Sequence, residues 1–435
     1  KQSKCISYFS DLYYIHLFSV FMIIMFSLEG GGLLQTGSFQ WMKSLNKSTI
    51  LNMVRLNGPI SRAEIAKLTK LTPPTVTNIV SELLESQLII ESDLGVSTGG
   101  RKPIMLKLNS TKFYVIGICI QGKNIEVAIA NLNGMIVHQF QRQMFISPTK
   151  EQFLEALKES VQEALNLAMA EHQSVVGIGI GVQGLVDPKH GELIYTSHLQ
   201  LHQIPIKEVL EKEFKLPVEV ENDVNAIALG ESWFGQGRDT DKLVCIHLGY
   251  SIGAGMIFNN ELYHGASYAV GEIAHMTIDI NGPLCSCGSR GCLDTFVSVP
   301  AIVNRIKQAI MRGEETTILQ KCNYDYEQMT REMIFQAAQE GDKLSNQILV
   351  ETGRYLGIGI VNLIHLLNPC KIILHCDISC SDKLITTSLQ EIMDSRMLDT
   401  VASSVTIVHS NLGKQAPLIG AFTLALKKLF IPIPE

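Results

Sequence analysis

Val244-Cys245-Ile246-His247-Leu248, followed by Gly249-Tyr250-Ser251-Ile252-Gly253-Ala254-Gly255, reads as a strand, a turn and the opening of a second strand. The same opening occurs earlier, where Val115 to Ile120 and Ile125 to Ala130 flank a turn. That first meander continues through Ile136-Val137, then gives way to a long amphipathic helix from Lys150 to Ala170 and a buried strand from Val175 to Gly181. Strands, a helix and a new strand describe an α/β layer domain. After Val218-Glu219-Val220, the run Glu221-Asn222-Asp223-Val224-Asn225-Ala226 opens a further helix at a strand end, where open α/β sheets hold their ligands. A pattern that starts twice implies two paired lobes, and the cleft between such lobes suits a small molecule.

At 435 residues the chain exceeds one hydrophobic core, and 46 % apolar with 18 % charged residues excludes a disordered or low-complexity protein. The net charge of -6 hides an asymmetry. Residues 42–110 hold nine Lys/Arg against five Asp/Glu, the first 41 balance at two against two, and the acidic excess falls on the rest. A small basic module joined to a large acidic body is expected where one part touches DNA and the other does something else.

That module has its own punctuation. From Lys47 to Leu56, the residues Ile50, Leu51, Val54 and Leu56 form an apolar helical stripe, closed by Asn57-Gly58-Pro59. Ser61-Arg62-Ala63-Glu64 is a capping box for a short second helix with Ile65 and Leu68 inward. Thr72 caps a third helix with Pro73 at its first position, burying Val76, Ile79, Val80, Leu83 and Leu84 and leaving Thr75, Thr77, Asn78 and Ser81 outside. Hydroxyls and an amide near the start of a second helix are what major-groove reading requires, although a small helical domain with a solvated polar face has the same pattern. Leu88-Ile89-Ile90 and Ile104 to Leu108 then pair around a tip holding Gly99-Gly100-Arg101-Lys102-Pro103, a cationic wing that fits a minor groove and its phosphates.

Two segments stand apart. Leu12 to Leu28 is apolar at the lower limit for a membrane span. It reads as a non-native or mis-started leader, because the chain opens on Lys1 while Met42-Lys43 stands just before the first well-formed helix; an anchor is the rival. Ten cysteines without a regular ladder read as reduced cytoplasmic thiols. Cys285, Cys287 and Cys292 with His275 offer four soft or borderline ligands, the set for closed, structural zinc, against the alternative of a buried or redox-active thiol cluster.

Gly271-Glu272-Ile273-Ala274-His275-Met276, Cys-x-Cys-Gly-x-x-Gly-Cys-Leu at 285–293, Glu-Asn-Asp-x-Asn-Ala at 221–226 and Leu-Gly-x-x-Ile-Gly-x-Gly at 248–255 together resemble the ROK family of repressors, open reading frames and sugar kinases. With the winged module in front, residues 46–435 are similar in arrangement to the family's sugar-responsive repressors of the xylose type. The resemblance implies a two-lobed ribonuclease H-like, actin-type ATPase fold with a sugar held by Asn222, Asp223, Glu272 and His275, and by Asp294 where the family commonly has Glu. In the kinases the Asp of Asn-Asp is the base, and His275 would share its two ring nitrogens between zinc and sugar. The phosphate loops depart from the kinase pattern. Asp-x-Gly-Gly-Thr is matched by Cys119-Ile120-Gln121-Gly122-Lys123, the second loop reads Tyr250-Ser251-Ile252-Gly253-Ala254-Gly255, and a late Gly-Gly-Gly is replaced by His375-Cys376-Asp377.

The expectation is therefore a leader (1–41), a winged helix-turn-helix domain (42–110), a first ROK lobe (111–228, completed by 411–435) and a second with the zinc site (229–410). The function expected is a cytoplasmic, homo-oligomeric repressor of carbohydrate-utilisation genes, bound to operator DNA and released by a monosaccharide or sugar derivative. An ATP-dependent sugar kinase with an appended DNA-binding domain is the alternative.

Overall fold

A computed structural model describes residues 39–94, 102–145, 147–376, 383–402 and 404–431. The two meanders fold into five-stranded sheets with one topology. In the first, β4 (Phe113–Gln121), β5 (Asn124–Asn131) and β6 (Ile136–Gln143) run antiparallel, and β7 (Ser174–Val182) and β11 (Val218–Asn222) add parallel on the other side, giving the order β11-β7-β4-β5-β6. The hairpin strands β8 (Leu185–Asp187), β9 (Glu192–Thr196) and β10 (Leu201–Ile204) form a small sheet inserted between β7 and β11. In the second large sheet, β12 (Lys242–Leu248), β13 (Ile252–Phe258) and β14 (Glu261–Leu262) form the meander, and β15 (Lys371–Cys376) and β16 (Thr406–His409) are parallel, giving β14-β13-β12-β15-β16. This repeated order is the two-lobed ribonuclease H-like arrangement expected from the restarted pattern.

The winged module consists of α1 (Phe39–Asn57), α2 (Arg62–Thr69), α3 (Pro73–Glu85) and a sheet of β1 (Ile60–Ser61), β3 (Ile104–Leu108) and β2 (Ile89–Leu94). Its helix starts follow the sequence. The Glu64 amide donates to Ser61 Oγ at 3.3 Å while Glu64 Oε2 accepts from the Ser61 amide at 3.0 Å, and Thr72 accepts from the Thr75 amide at 3.4 Å. Two stripe residues differ from expectation. Leu56 is 57 % exposed because it lies about half a turn from the Ile50, Leu51 and Val54 face, and Leu68 is 53 % exposed on the last turn of a helix that buries only Ile65. The wing tip, Arg101 included, and the apolar segment 12–28 lie outside the described residues. Among the described residues, no helix is long and apolar enough to cross a membrane.

Each lobe packs helices on its sheet because the strands read as apolar on both faces. In the first lobe, α4 (Lys150–Ala170) buries Phe153, Leu157 and Val161 against Ile116, Ile118 and Ile180, and α5 (Ile206–Phe214) adds Ile206 and Leu210. In the second, α7 (Val299–Met311), α8 (Arg331–Gln339), α9 (Lys343–Leu367) and α10 (Lys383–Arg396) cover Val244, Ile246, Ile372 and Leu374. Two helices run between these layers: α6 (Asp223–Phe234), and α11 (Ala416–Phe430), which packs on β4 and β7. They meet without side chains. A Cβ on Gly420 would stand 2.3 Å from the Ala226 carbonyl oxygen, and one on Gly230 would stand 2.9 Å from the Gly420 amide nitrogen. Trp233 on α6 and Phe422 and Phe430 on α11 share a hydrophobic cluster with Ile50, Leu51, Val54, Val76, Val80 and Leu83 of the winged module.

The glycine contact predicts a steric penalty larger than the helix-propensity gain. Gly420→Ala should destabilise the chain by about 1–3 kcal/mol through forced separation of the two helices, seen as a lower thermal midpoint. An unchanged or raised midpoint would show that the crossing yields without strain.

Candidate functional site

The end of β11 and the start of α6 build the centre of the cleft. Asn222 caps α6: its Oδ1 accepts from the amides of Val224 (2.9 Å) and Asn225 (3.1 Å), and its Nδ2 donates to the Gly184 carbonyl at 2.9 Å. A carboxamide carries two N–H groups, so one remains for a ligand hydroxyl. Asp223, buried as the first residue of α6, accepts from Gln121 Nε2 at 3.1 Å. Burial raises the Asp223 carboxyl above its ordinary range, against the opposing pull of the Gln121 bond, the Val224 amide and nearby His198. Glu272, at the cleft surface, is also raised by desolvation; His275 pulls it down and Asp223 pushes it up. Glu272 thus lies within electrostatic reach of both Asp223 and His275.

Sequence reasoning missed the groups behind this set. Glu221 is nearly buried, and its Oε1 accepts from the Asn222 amide at 2.9 Å and from Asn225 Nδ2 at 3.1 Å. Its Oε2 stands 2.6 Å from His264 Nε2, a contact from the first lobe to the segment after β14. His198 meets Tyr250 edge to face at 5.0 Å between centroids, again from one lobe to the other. The signal for Glu221 was available in its place beside Asn222; nothing local marks His264 as its partner, or Gln121 and His198 as neighbours of Asp223.

The phosphate-loop departures have structural counterparts. Cys119 packs with Ala128 and Leu418 in the interior, and Gln121 turns to Asp223. Asp294 accepts from Ser251 Oγ at 2.7 Å and from the Ile252 amide at 3.2 Å, so one of its oxygens braces the turn between β12 and β13. His375 is buried and stacked on His247 with Nδ1 atoms 2.8 Å apart, while Asp377 lies outside the described residues.

His275, Cys285, Cys287 and Cys292 offer one ligand atom each, all within 4.8 Å of one another, a cluster able to hold a metal ion. Cys285 Sγ is 3.6 Å from His275 Nδ1, and the Cys287 and Cys292 sulfurs are 3.7 Å apart. The loop closes through bridges between Thr277 and Cys292 and between Leu284 and Arg290. Gly291 is required there: its φ is +66°, and a Cβ would stand 1.5 Å from the Asp279 carbonyl oxygen. The Ser289 amide helps lower the Cys287 thiol to about 6, whereas burial and the neighbouring thiols raise Cys292 to about 12.

On α3, Thr77, Asn78 and Ser81 are exposed and Thr75 is half-buried. Thr75 Oγ1 pairs with Thr72 Oγ1 at 2.8 Å, Thr77 Oγ1 donates to the Pro73 carbonyl at 2.9 Å and Ser81 Oγ donates to the Thr77 carbonyl at 3.0 Å. Among the described residues, Asn78 is the one of the four whose side chain has no such bond. Lys102 is exposed two residues before the returning wing strand.

Two lobes of the actin-type ATPase arrangement, a polar cleft between them and a winged module in front define a sugar-kinase-like body fused to a DNA-binding element. The sequence pattern of the ROK family matches residues 115–428, that of winged helix-turn-helix DNA-binding matches 45–90, and the chain belongs to the ROK family. It is 31 % identical over 399 residues to a xylose repressor of Caldicellulosiruptor bescii, covering 92 % of this chain and 99 % of that one. With NagC of Escherichia coli, a DNA-binding transcriptional dual regulator, identity is 29 % over 400 residues, covering 92 % and 96 %. Among solved structures, a ROK family transcriptional regulator homologous to the E. coli MLC protein superposes with TM-score 0.81 at 27 % identity over 89 % of this chain and 97 % of that one. A Streptomyces griseus ROK glucokinase in complex with glucose and AMPPNP gives 0.62 at 29 %, covering 72 % and 98 %.

The raised Asp223 carboxyl has a definite sign. The folded chain holds this proton more tightly than the unfolded chain, so ionisation weakens the fold increasingly from about pH 4 until the raised folded value is passed. Asp223→Asn should therefore raise the thermal midpoint at pH 7.5, and the gain should shrink to nothing below about pH 4, where the wild-type group is neutral in both states. A gain independent of pH would mean that the carboxyl is not strained by burial.

Proposed function

We propose that the protein is a sugar-responsive transcriptional repressor in which a sugar, taken into the cleft, releases operator DNA from the winged module. The observation that carries this reading is Gln121: at the place of a phosphate-loop glycine it puts a side chain that bonds to Asp223. A kinase needs that carboxylate free to take a hydroxyl proton and needs open backbone amides for phosphate. Engaged by an amide, Asp223 is a fixed acceptor for a sugar hydroxyl, with Glu272, His275 and the remaining Asn222 proton as further partners and Asp294 at the rim. The relatives named as a xylose repressor and, at 29 % identity in Escherichia coli O157:H7, as an N-acetylglucosamine repressor make those sugars the first effectors to test.

The metal in this reading is zinc. With Zn–S at about 2.3 Å and Zn–N at about 2.0 Å, a tetrahedral ion sets sulfurs about 3.8 Å apart and sulfur about 3.5 Å from nitrogen. Two of the ligand pairs, at 3.7 and 3.6 Å, lie close to those spacings, and all four ligand atoms lie within 4.8 Å of one another. Four protein ligands leave no place for a catalytic water, so the ion is structural and fastens the Glu272–His275 segment beside Asp223. His275 turns Nδ1 to the thiols, which frees Nε2 for sugar.

On DNA, α3 enters the major groove with Asn78 as the side chain available for base edges and Thr75, Thr77 and Ser81 nearer the phosphates. Arg101 and Lys102 place the wing at the minor groove. The protein works in the cytoplasm as a homo-oligomer on two half-sites. Moving it from 99 % DNA-competent to 99 % incompetent requires about 5.5 kcal/mol of differential sugar affinity, more than one hydroxyl bond supplies and within reach of several per subunit.

Asp223→Ala is expected to keep operator affinity and lose release by sugar, measured by fluorescence anisotropy of a labelled operator. Release at unchanged sugar concentration would place the sensor elsewhere, and sugar phosphorylation by the wild type at roughly 1–100 per second would establish the kinase alternative. Elemental analysis should find one zinc per chain, lost in Cys292→Ser together with sugar binding. Protein prepared without chelator and free of stoichiometric zinc would remove the metal assignment.

A further inference from the structure

We infer that Arg55 is a positioning residue for the DNA-reading module, acting through Trp233 to let the state of the sugar cleft set the module's attachment to the body. The inference rests on the sugar-responsive reading above and adds the residue that transmits the response.

Arg55 lies on α1, inside the winged module, with its guanidinium carbon 3.8 Å from the centroid of the Trp233 ring and 5.6 Å from that of Phe430. Both rings belong to the body, at the far ends of α6 and α11. Arg55 Nε donates to Asn52 Oδ1 at 2.9 Å, and among the described residues no carboxylate comes within ion-pairing distance of its guanidinium. A second cation stands close by: Arg238 Nε donates to the Trp233 carbonyl at 2.9 Å. Burial and the repulsion of Arg238 bring the Arg55 guanidinium down to about 10. A half-buried cation held by ring faces and opposed by a like charge is a contact that a small shift of the rings can weaken.

The same helix reaches the sugar site. Asp223 opens α6 and Trp233 sits one residue before its end, about 15 Å away along the axis at 1.5 Å per residue. Nearly every α6 residue between them is buried, and the glycine crossing locks α6 to α11, which carries Phe430. Close-packed helices of this kind move as units, so a displacement at Asp223 arrives at the indole and phenyl rings under Arg55. The module follows, because its own core residues are continuous with those rings.

The experiment uses the full chain. The sequence has two tryptophans, Trp41 and Trp233, so Trp41→Phe leaves Trp233 as the single indole reporter. D-Xylose, D-glucose and N-acetyl-D-glucosamine are the sugar probes, and the DNA probe is a duplex selected by the protein from a random-sequence pool. Trp233 emission should change on sugar addition with the midpoint found by calorimetry, and the wild-type chain should lose at least tenfold in DNA affinity at saturating sugar. In Arg55→Ala the sugar affinity without DNA should stay within twofold of wild type while the loss of DNA affinity on sugar addition falls below twofold. Arg55→Lys, which keeps a cation over the indole, should recover most of the coupling. A merely structural Arg55 would lower the thermal midpoint and leave the coupling ratio intact. Arg55→Ala protein that binds sugar and is released from DNA as the wild type is, or Trp233 emission that ignores saturating sugar, overturns the inference alone. A wild-type chain that binds DNA and responds to none of the three sugars overturns it together with the sugar-responsive reading.

Discussion

The backbone-to-backbone crossing of α6 and α11 is the constraint on which the other features depend. Because Gly230 and Gly420 carry no Cβ, the two helices sit closer than any other pair of side chains would permit, and both lobes are built around them. One end of the pair presents Asp223 to the cleft and the other presents Trp233 and Phe430 to α1. Had either glycine been larger, the cap at Asn222 and the rings under Arg55 would be displaced together. The cleft geometry and the module's attachment are thus two ends of a single packing solution.

Much of this architecture was legible in the sequence where the determinants are local. Ser61 with Glu64 and Thr72 with Pro73 announced helix starts because capping involves residues three apart, and the restarted meander announced the lobes because strand, turn and strand are adjacent in the chain. The His275 and cysteine cluster was visible because its four ligands fall within one loop. Leu56 and Leu68 were misplaced since an apolar residue near a helix end has too little helix beyond it to fix which face it shares. Gln121 and Asp223 stand 102 positions apart, and Glu221 and His264 stand 43 apart, so their pairing is a product of the tertiary fold alone. Arg55 over Trp233 belongs to that group too: a lone arginine on an amphipathic helix gives no local sign that it will rest on a ring from another part of the chain.

The chemistry of the cleft follows from how its polar groups are already committed. Asn222 spends its oxygen on two amides, Asp294 spends one oxygen on the Ser251 turn, and Glu221 supports Asn222 without facing a ligand. The carboxylates of Asp223 and Glu272 dominate what remains. Such a site favours a neutral molecule rich in hydroxyl donors over an anion, since burying a negative ligand beside two carboxyls already raised by desolvation would add like-charge repulsion. In the proposed reading these groups pair with a polyol such as a sugar.

The core of the winged module is continuous with that of the body. Ile50, Val54, Val76 and Leu83 belong to the same apolar cluster as Trp233, Phe422 and Phe430, so separating module from body would bring buried aliphatic and aromatic surface into water. The folding unit is therefore larger than the DNA-reading unit. Opening of α1 is expected to be coupled to the packing of α6 and α11 against it rather than independent of them.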